Sequence, residues 1–204
     1  MRAAIAVALL AAPVACSPLA PIPDTSRYYT LAPEPPEPPA AAPPRAALAT
    51  VGLGPVRLPP YLDRPQIVTR AAPERVEIAS HDRWAAPLDV LFTRTLAEDL
   101  REAIPAREVL AWPWPRGAAV DWTVSVDVLR FERERDGTAV LEARWTVSRR
   151  AGAEPIERGR TLARVPAADR EMASSVAALG RSLGALARDL ATALARASPP
   201  PAGR

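Results

Sequence analysis

The sequence predicts a single α+β (mixed α/β) domain: a twisted, mainly antiparallel sheet carrying two long helices on one face. Three observations predict it. Val120, Trp122, Val124, Val126 and Val128 alternate with Asp121, Thr123, Ser125 and Asp127, which is the period of a half-buried strand. Trp84, Leu88, Phe92, Leu96, Leu100 and Ile104 recur every four residues and draw one apolar stripe along a helix. Met172, Val176, Leu179, Leu183, Leu186, Leu190 and Leu194 draw a second stripe. A helix with a single stripe has one face to bury, so both helices can share one face of the sheet.

The elements follow in chain order. Ser17 to Arg27 is polar with three prolines and reads as a tether. Tyr28 to Leu31 is a brief β-prone run, a possible opening edge strand. Residues 32–46 are rich in Pro, Ala and Glu and cannot bury enough surface to fold, so an extended linker is expected. The domain proper then spans 47–197, followed by a Pro-rich, disordered tail at 198–204. Ala49 to Leu58 reads as a strand bent or bulged near Gly52, Gly54 and Pro55. The prolines of Pro59 to Pro65 make a stiff loop, since they fix φ and remove backbone donors. Gln66 to Arg70 and Arg75 to Ala79 are two short strands, and His81 falls in a surface turn.

The first helix is expected from near Ala85, with Pro87 in its first turn and Trp84 heading the stripe. Pro105 stops it, and Asp89, Glu98, Asp99 and Glu102 lie on its solvated face. Arg107 to Ala111 can form a strand before the Trp112 to Gly117 loop. Phe131 falls out of phase with the 120–128 alternation, which marks a bulge or the strand end. Asp136-Gly137 is a hairpin turn signal, and Leu141, Ala143, Trp145 and Val147 alternate again on the way back. Glu157 to Val165 extends the meander. Asp169 is a plausible cap for the second helix, in which Gly180 and Gly184 permit close approach to the sheet or the other helix.

Composition narrows the function. A net charge of +3 with no basic run longer than Arg149-Arg150 leaves no nucleic-acid footprint. The N-terminus has the layout of an export signal: Arg2, an apolar run from Ala3 to Ala12, then small residues before Cys16. That run is shorter than the roughly 20 residues of a permanent membrane helix. Two readings are open for residues 1–15: an ordinary secretory signal with a chance cysteine, or one that ends in a modified cysteine. The latter resembles a bacterial lipoprotein signal, which implies cleavage before Cys16 and a diacylglycerol on its thiol.

A second resemblance covers nearly the whole mature chain. It rests on Val51 to Arg70, with its Tyr61-Leu62-Asp63-Arg64-Pro65-Gln66 run, and on Arg83-Trp84-Ala85-Ala86-Pro87-Leu88. Tyr28-Tyr29-Thr30-Leu31 and Ala143-Arg144-Trp145 add to it. These residues resemble the ABC-type transport auxiliary lipoproteins, the PqiC/YmbA-like family. The resemblance implies a non-enzymatic outer-membrane lipoprotein facing the periplasm. It further implies an accessory role in an intermembrane lipid transport system, with an MCE-domain protein and an inner-membrane ABC-type permease as partners, in support of envelope integrity. Ser17 after the cysteine is consistent with outer-membrane sorting.

The residue inventory agrees with a protein that does no chemistry of its own. His81 is the only histidine and Cys16 the only cysteine, too few for a Cys-His nucleophile or a zinc site. Gly52 and Gly54 lie in a strand and lack the following Lys-Ser/Thr of a phosphate loop. No metal and no cofactor are expected. The sharper candidates are partner contacts: Pro60, Tyr61, Leu62, Asp63, Arg64, Pro65 and Gln66 in the stiff loop, and Trp84. Tyr61 and Leu62 either present themselves to a partner or fold back over the core, with Asp63 and Arg64 forming a local ion pair. Trp84 either packs in the core or lies at an interface, and one of Trp112 and Trp114 is free to touch lipid or a partner. A homo-oligomer is also open. The competing function is a lipid carrier, which requires an apolar cavity between sheet and helices.

Overall fold

The structure is a computed structural model that describes residues 24–34, 48–150 and 152–198. The signal at 1–15, Cys16, most of the tether and linker, and the tail beyond Ser198 lie outside the described residues. Among the described residues the order is β1 (Arg27–Tyr29), β2 (Leu48–Arg57), a 3-10 turn (Pro60–Leu62), β3 (Gln66–Ala72), β4 (Arg75–Trp84), α1 (Leu88–Ala103), β5 (Ala106–Ala111), β6 (Trp122–Glu134), β7 (Ala139–Arg149), β8 (Pro155–Val165) and α2 (Met172–Ala197).

The alternating run lies in β6 from Trp122 onward, with Val120 and Asp121 just ahead of the strand, and β6 is the spine of an open, mixed sheet. One edge of β6 carries β7 in antiparallel register along its length, and β8 continues antiparallel on β7. Asp136-Gly137 makes the β6–β7 turn, where Asp136 Oδ1 accepts the Thr138 N–H at 2.9 Å. The other edge of β6 is shared. β2 runs parallel to Trp122–Asp127, with β5 parallel beyond it. β3 runs parallel to Arg133–Glu134, followed by β4 and then β1. The chain from Leu58 to Pro65 bridges these two pairings. β6 itself bulges between Val128 and Arg130, which returns Phe131 to the core phase. Phe131 then meets Phe92 of α1 edge-on, with ring centroids 5.0 Å apart.

Both helices pack on one face of this sheet and against each other, α1 on β2 and β5, α2 on β6, β7 and β8. Val124, Val126 and Leu141 from the sheet bury against Phe92, Leu96, Leu100, Leu179, Leu183, Leu186 and Leu190. Among the described residues no helix is long and apolar enough to cross a membrane.

The structure corrects the boundary between β4 and α1. β4 does not end at Ala79 but runs to Trp84, so His81 is an exposed strand residue rather than a turn residue. Trp84 closes the strand instead of heading the helix. Its N–H donates to the Pro65 carbonyl at 2.6 Å, and the Ala85 N–H to the Tyr29 carbonyl at 2.8 Å, which holds this stretch extended. Pro87 caps α1 from just outside, and a residue preceding proline is disfavoured in the helical region, so the helix begins at Leu88. Asp169 does not cap α2: Glu171 is the N-cap residue, with no side-chain cap, and Asp169 Oδ1 accepts the Glu171 N–H at 2.8 Å, three residues ahead of Met172.

The N-terminal segment is part of the fold. Arg27 grips the buried Asp82 through Nε at 2.7 Å and Nη2 at 2.9 Å, and the Tyr29 hydroxyl donates to the same carboxylate at 3.0 Å. Leu31 then enters the core, and residues 32–34 form a strap over α2. Gly180 and Gly184 admit this strap, not the sheet or the other helix. A Cβ on Gly180 would stand 2.6 Å from the Ala32 carbonyl oxygen, and one on Gly184 would collide with the Glu34 side chain. Arg188 pairs with the Glu34 carboxylate. The Glu34 N–H donates to Asp99 Oδ1 at 2.8 Å.

Asp99 is therefore not on a solvated face: it is 6% exposed, and its Oδ2 has no partner among the described residues. Burial, with Glu34 and Glu98 nearby, pushes its carboxyl up to about 6, against the opposing Glu34 N–H and Arg188. A folded-state pKa above the ordinary 3.8 means that the ionised form is the disfavoured one in the folded protein. Its contribution to stability falls as pH rises from about 4 to about 6. Asp99→Asn is expected to stabilise the protein at neutral pH by roughly 1–3 kcal/mol and to flatten that fall. Urea unfolding across the same pH range checks it; an unchanged slope would contradict it.

Candidate functional site: a stiff loop seated on a buried glutamate

The prolines of the Leu58–Pro65 connection leave few backbone donors, and the loop closes on itself. The Leu62 N–H donates to the Pro59 carbonyl at 2.9 Å and the Asp63 N–H to the Pro60 carbonyl at 3.1 Å. This 3-10 turn points Leu62 inward, where it is 2% exposed. Tyr61 lies half-buried on the sheet. Its hydroxyl donates to Glu132 Oε2 at 2.7 Å, and the Arg70 guanidinium stands over its ring, 5.5 Å from the centroid.

Glu132 is the seat. It follows Phe131 on β6, so strand alternation turns it away from the helices. Its side chain is nonetheless fully buried. Arg70 Nε donates to Oε1 at 2.7 Å and Nη2 to Oε2 at 3.1 Å, and Arg130 Nε donates to Oε1 at 3.1 Å. Burial alone would raise the Glu132 carboxyl, but the hydrogen bonds from Arg70, Tyr61 and Arg130 outweigh it and hold the group below its ordinary range. The same burial and the Glu132 charge drive the Tyr61 phenol well above its usual pKa.

The candidate contact residues divide. Leu62 and Trp84 are core residues, Trp84 being 5% exposed. Tyr61 is committed to Glu132, and Arg64 Nε donates to the Tyr61 carbonyl at 2.8 Å instead of pairing with Asp63. Gln66 and Arg64 are half-buried, while Pro60, Asp63 and Pro65 face solvent. The inward side of the loop thus fixes a short outward rim of one charge and two prolines. Glu132, Arg70 and Arg130 went unnoticed in the sequence, because isolated charges in strands carry no local signal of convergence.

The other singled-out residues take separate places. Trp114 donates Nε1 to the Leu53 carbonyl at 3.3 Å and meets Trp112 edge-on at 5.1 Å. Trp112 is left 51% exposed. Gly54 supports this packing at φ +114, a conformation closed to other residues, with Trp112 Cβ directly above it. His81 sits beside Asp82, whose carboxylate is already taken by Arg27 and Tyr29. Among the described residues no three His, Cys, Asp or Glu side chains group as a metal site. Glu132, saturated with donors and held ionised, is arranged to hold a loop in place rather than to move a proton.

Residues 29–191 match a sequence family described as the ABC-type transport auxiliary lipoprotein component. Among solved structures, the fold is similar to a crystal structure of an uncharacterized protein, at 22% identity over 83% of this chain and 99% of that one, TM-score 0.66. It is also similar to a Xanthomonas campestris protein of the family DUF330, at 16% identity over 84% and 96% of the two chains, TM-score 0.68. At these identities the likeness concerns the fold. No curated protein matches the chain.

Proposed function

This chain belongs to the ABC-type transport auxiliary lipoprotein components, and from that premise we propose that it is a catalytically inert, lipid-anchored envelope protein that docks periplasmic partners of an MCE/ABC-type intermembrane lipid transport system. Residues 1–15 are removed, Cys16 takes the acyl anchor at the outer membrane, and the body faces the periplasm. About ten tether residues separate Cys16 from β1, a reach of about 35 Å at full stretch. The partners are a periplasmic MCE-domain protein and, through it, the inner-membrane permease; any ATP hydrolysis in the system belongs to another subunit.

The observation that carries this proposal is the rim of the Pro59–Gln66 loop. Its inner groups are locked by Leu62 in the core and Tyr61 on Glu132, so Pro60, Asp63 and Pro65 are held in place before any partner arrives. Docking a rigid rim forfeits little conformational entropy. The carrier alternative needs open apolar space between sheet and helices. Phe92, Phe131, Leu96, Leu100, Leu183 and Leu186, all fully buried, occupy that space.

Affinity capture from native envelopes checks the proposal. The wild-type chain is expected to recover an MCE-domain protein, and Asp63→Arg to reduce that recovery at least about tenfold, equivalent to about 1.4 kcal/mol, with unchanged thermal stability. Cys16→Ser is expected to shift the protein from the membrane fraction to the soluble one. Undiminished capture by Asp63→Arg would remove the loop from the interface, and a Cys16→Ser protein that stays membrane-bound would remove the anchor.

A further inference from the structure

β8 closes one side of the sheet. It runs antiparallel to β7 from Pro155 to Val165 and pairs with no other strand among the described residues. α2 packs over its helix side, so its outer edge and its opposite face are open. An unpaired edge of this length presents a row of backbone donors and acceptors on which another strand can form.

The side chains say which strand. On the face turned from the helices, Ile156, Arg158, Arg160, Leu162 and Arg164 follow at every second residue, all exposed. Ile156 and Leu162 are 51% and 57% exposed. From Ile156 to Leu162 the row reads apolar, basic, basic, apolar, with about 7 Å between neighbours.

The carboxylates of this face are already taken. Arg57 pairs with Asp127, and Arg70 and Arg130 hold Glu132. Arg164 grips both oxygens of Glu134, which Arg130 also reaches, and Arg160 Nη2 donates to Glu142 at 2.7 Å. Arg144 stands directly across from Arg160, and Arg158 across from Thr146. Neither Arg144 nor Arg158 has an acidic partner among the described residues, and Glu154, ahead of Ile156, pairs with neither. Like charges across a ladder are destabilising, and acids on the open edge would relieve them. A second copy of β8 would not. Every antiparallel self-pairing that overlaps more than half of the strand sets an arginine opposite an arginine.

We infer that the outer edge of β8 takes an extended acidic segment of another protein as a further strand. Its acidic side chains, two residues apart, stand opposite Arg158 and Arg160, and apolar ones opposite Ile156 and Leu162. The edge supplies backbone hydrogen bonds, and the row supplies the cross-strand pairs that select the segment. β8 lies beyond β7, on the side of β6 away from the Pro59–Gln66 loop, so this surface stands independently of docking at the Asp63 rim.

The test uses the full chain carrying Cys16→Ser, so that no acyl anchor contributes. The probe is a labelled peptide, Val-Thr-Glu-Thr-Glu-Thr-Val, whose order is the same in either strand direction. Fluorescence anisotropy is expected to show saturable binding that weakens as salt rises. The lysine counterpart, Val-Thr-Lys-Thr-Lys-Thr-Val, is expected to bind at least about tenfold more weakly. Arg158→Glu, at an exposed position, is expected to keep the wild-type melting temperature and to weaken the acidic peptide about tenfold. N-methylating either the Thr residues or the Val and Glu residues removes the donors of one peptide edge. One of these patterns is expected to abolish binding and the other to leave it, and the bound peptide is expected to protect β8 amides from hydrogen exchange. Absence of saturable binding, equal affinity for the lysine peptide, normal binding by Arg158→Glu, or parent-level binding by both N-methylated patterns would overturn the inference. Self-association of the chain that itself protects the β8 amides would give the edge to a second copy and overturn it as well. Asp63→Arg binds the peptide at the wild-type level, which separates failure of this inference from failure of the rim.

Discussion

Glu132→Ala is expected to destabilise the protein by about 3–5 kcal/mol, the range for removing one partner of a buried ion pair. The substitution strands Arg70 and Arg130, which are 20% and 30% exposed, without their shared carboxylate. It also leaves the Tyr61 hydroxyl without its acceptor. Glu132→Gln keeps the shape and one acceptor but not the charge, and about half that loss is expected. The acid profile gives an independent check. A carboxyl whose folded pKa lies below the ordinary 4.5 stabilises the fold above that pH and ceases to do so as pH falls below it. Wild-type protein should therefore lose more stability than Glu132→Gln between about pH 5 and about pH 3. Parallel acid profiles for the two proteins would show that Glu132 is not held ionised by its neighbours. Asp99 contributes with the opposite sign, losing stability as pH rises, so the two variants together separate the acidic and the near-neutral limbs of the curve.

On the docking role proposed for the loop, the loss at Glu132 reaches function through it. Tyr61 is tied to β6 by this carboxylate, while the Arg70 guanidinium of β3 stands over its ring. Without the seat, Pro60, Asp63 and Pro65 are no longer positioned in advance, and docking must order them. Glu132→Gln is thus expected to weaken partner capture even where the fold survives.

Local periodicity made much of this fold legible. The stripe of α1 from Leu88 to Leu100, that of α2, and the alternation of β6 from Trp122 and of β7 each depend on residues within one element, and each formed as the spacing predicts. The out-of-phase Phe131 also spoke truly, since a bulged strand must shift its side-chain phase by one. What stayed hidden depends on contacts between distant segments. Asp99 looks solvated on a helical wheel because the strap that buries it comes from residue 34. Trp84 fits the α1 stripe at four-residue spacing, yet a tryptophan ending a strand ahead of a proline fits the same spacing. Glu132, Arg70 and Tyr61 lie on three elements, and only the register of β3 beside β6 brings them together. The Pro59–Gln66 run offered two destinations for its residues, and they took both: Leu62 inward, Asp63 outward.

Gly180→Ala gives the second large effect, with a sign opposite to helix propensity. In an open helix the change stabilises by about 1 kcal/mol. Here the new Cβ would stand 2.6 Å from the Ala32 carbonyl oxygen, a backbone atom that cannot rotate away. Either α2 shifts on the sheet or the strap lifts, at about 1–3 kcal/mol for an overpacked contact. Lifting withdraws Leu31 from the core and the Glu34 N–H from Asp99, so the strap is the element expected to yield. Limited proteolysis should then cut within residues 30–34 of Gly180→Ala, at protease levels that leave the wild-type chain intact there. Gly184→Ala tests the same contact one turn on. Its Cβ meets the Glu34 carboxylate, which can swing aside, but also Glu34 Cβ at 2.9 Å, which cannot, so a smaller loss of the same sign is expected. A Gly180→Ala protein as stable as wild type, with its strap protected, would show that the glycine is not what admits the strap.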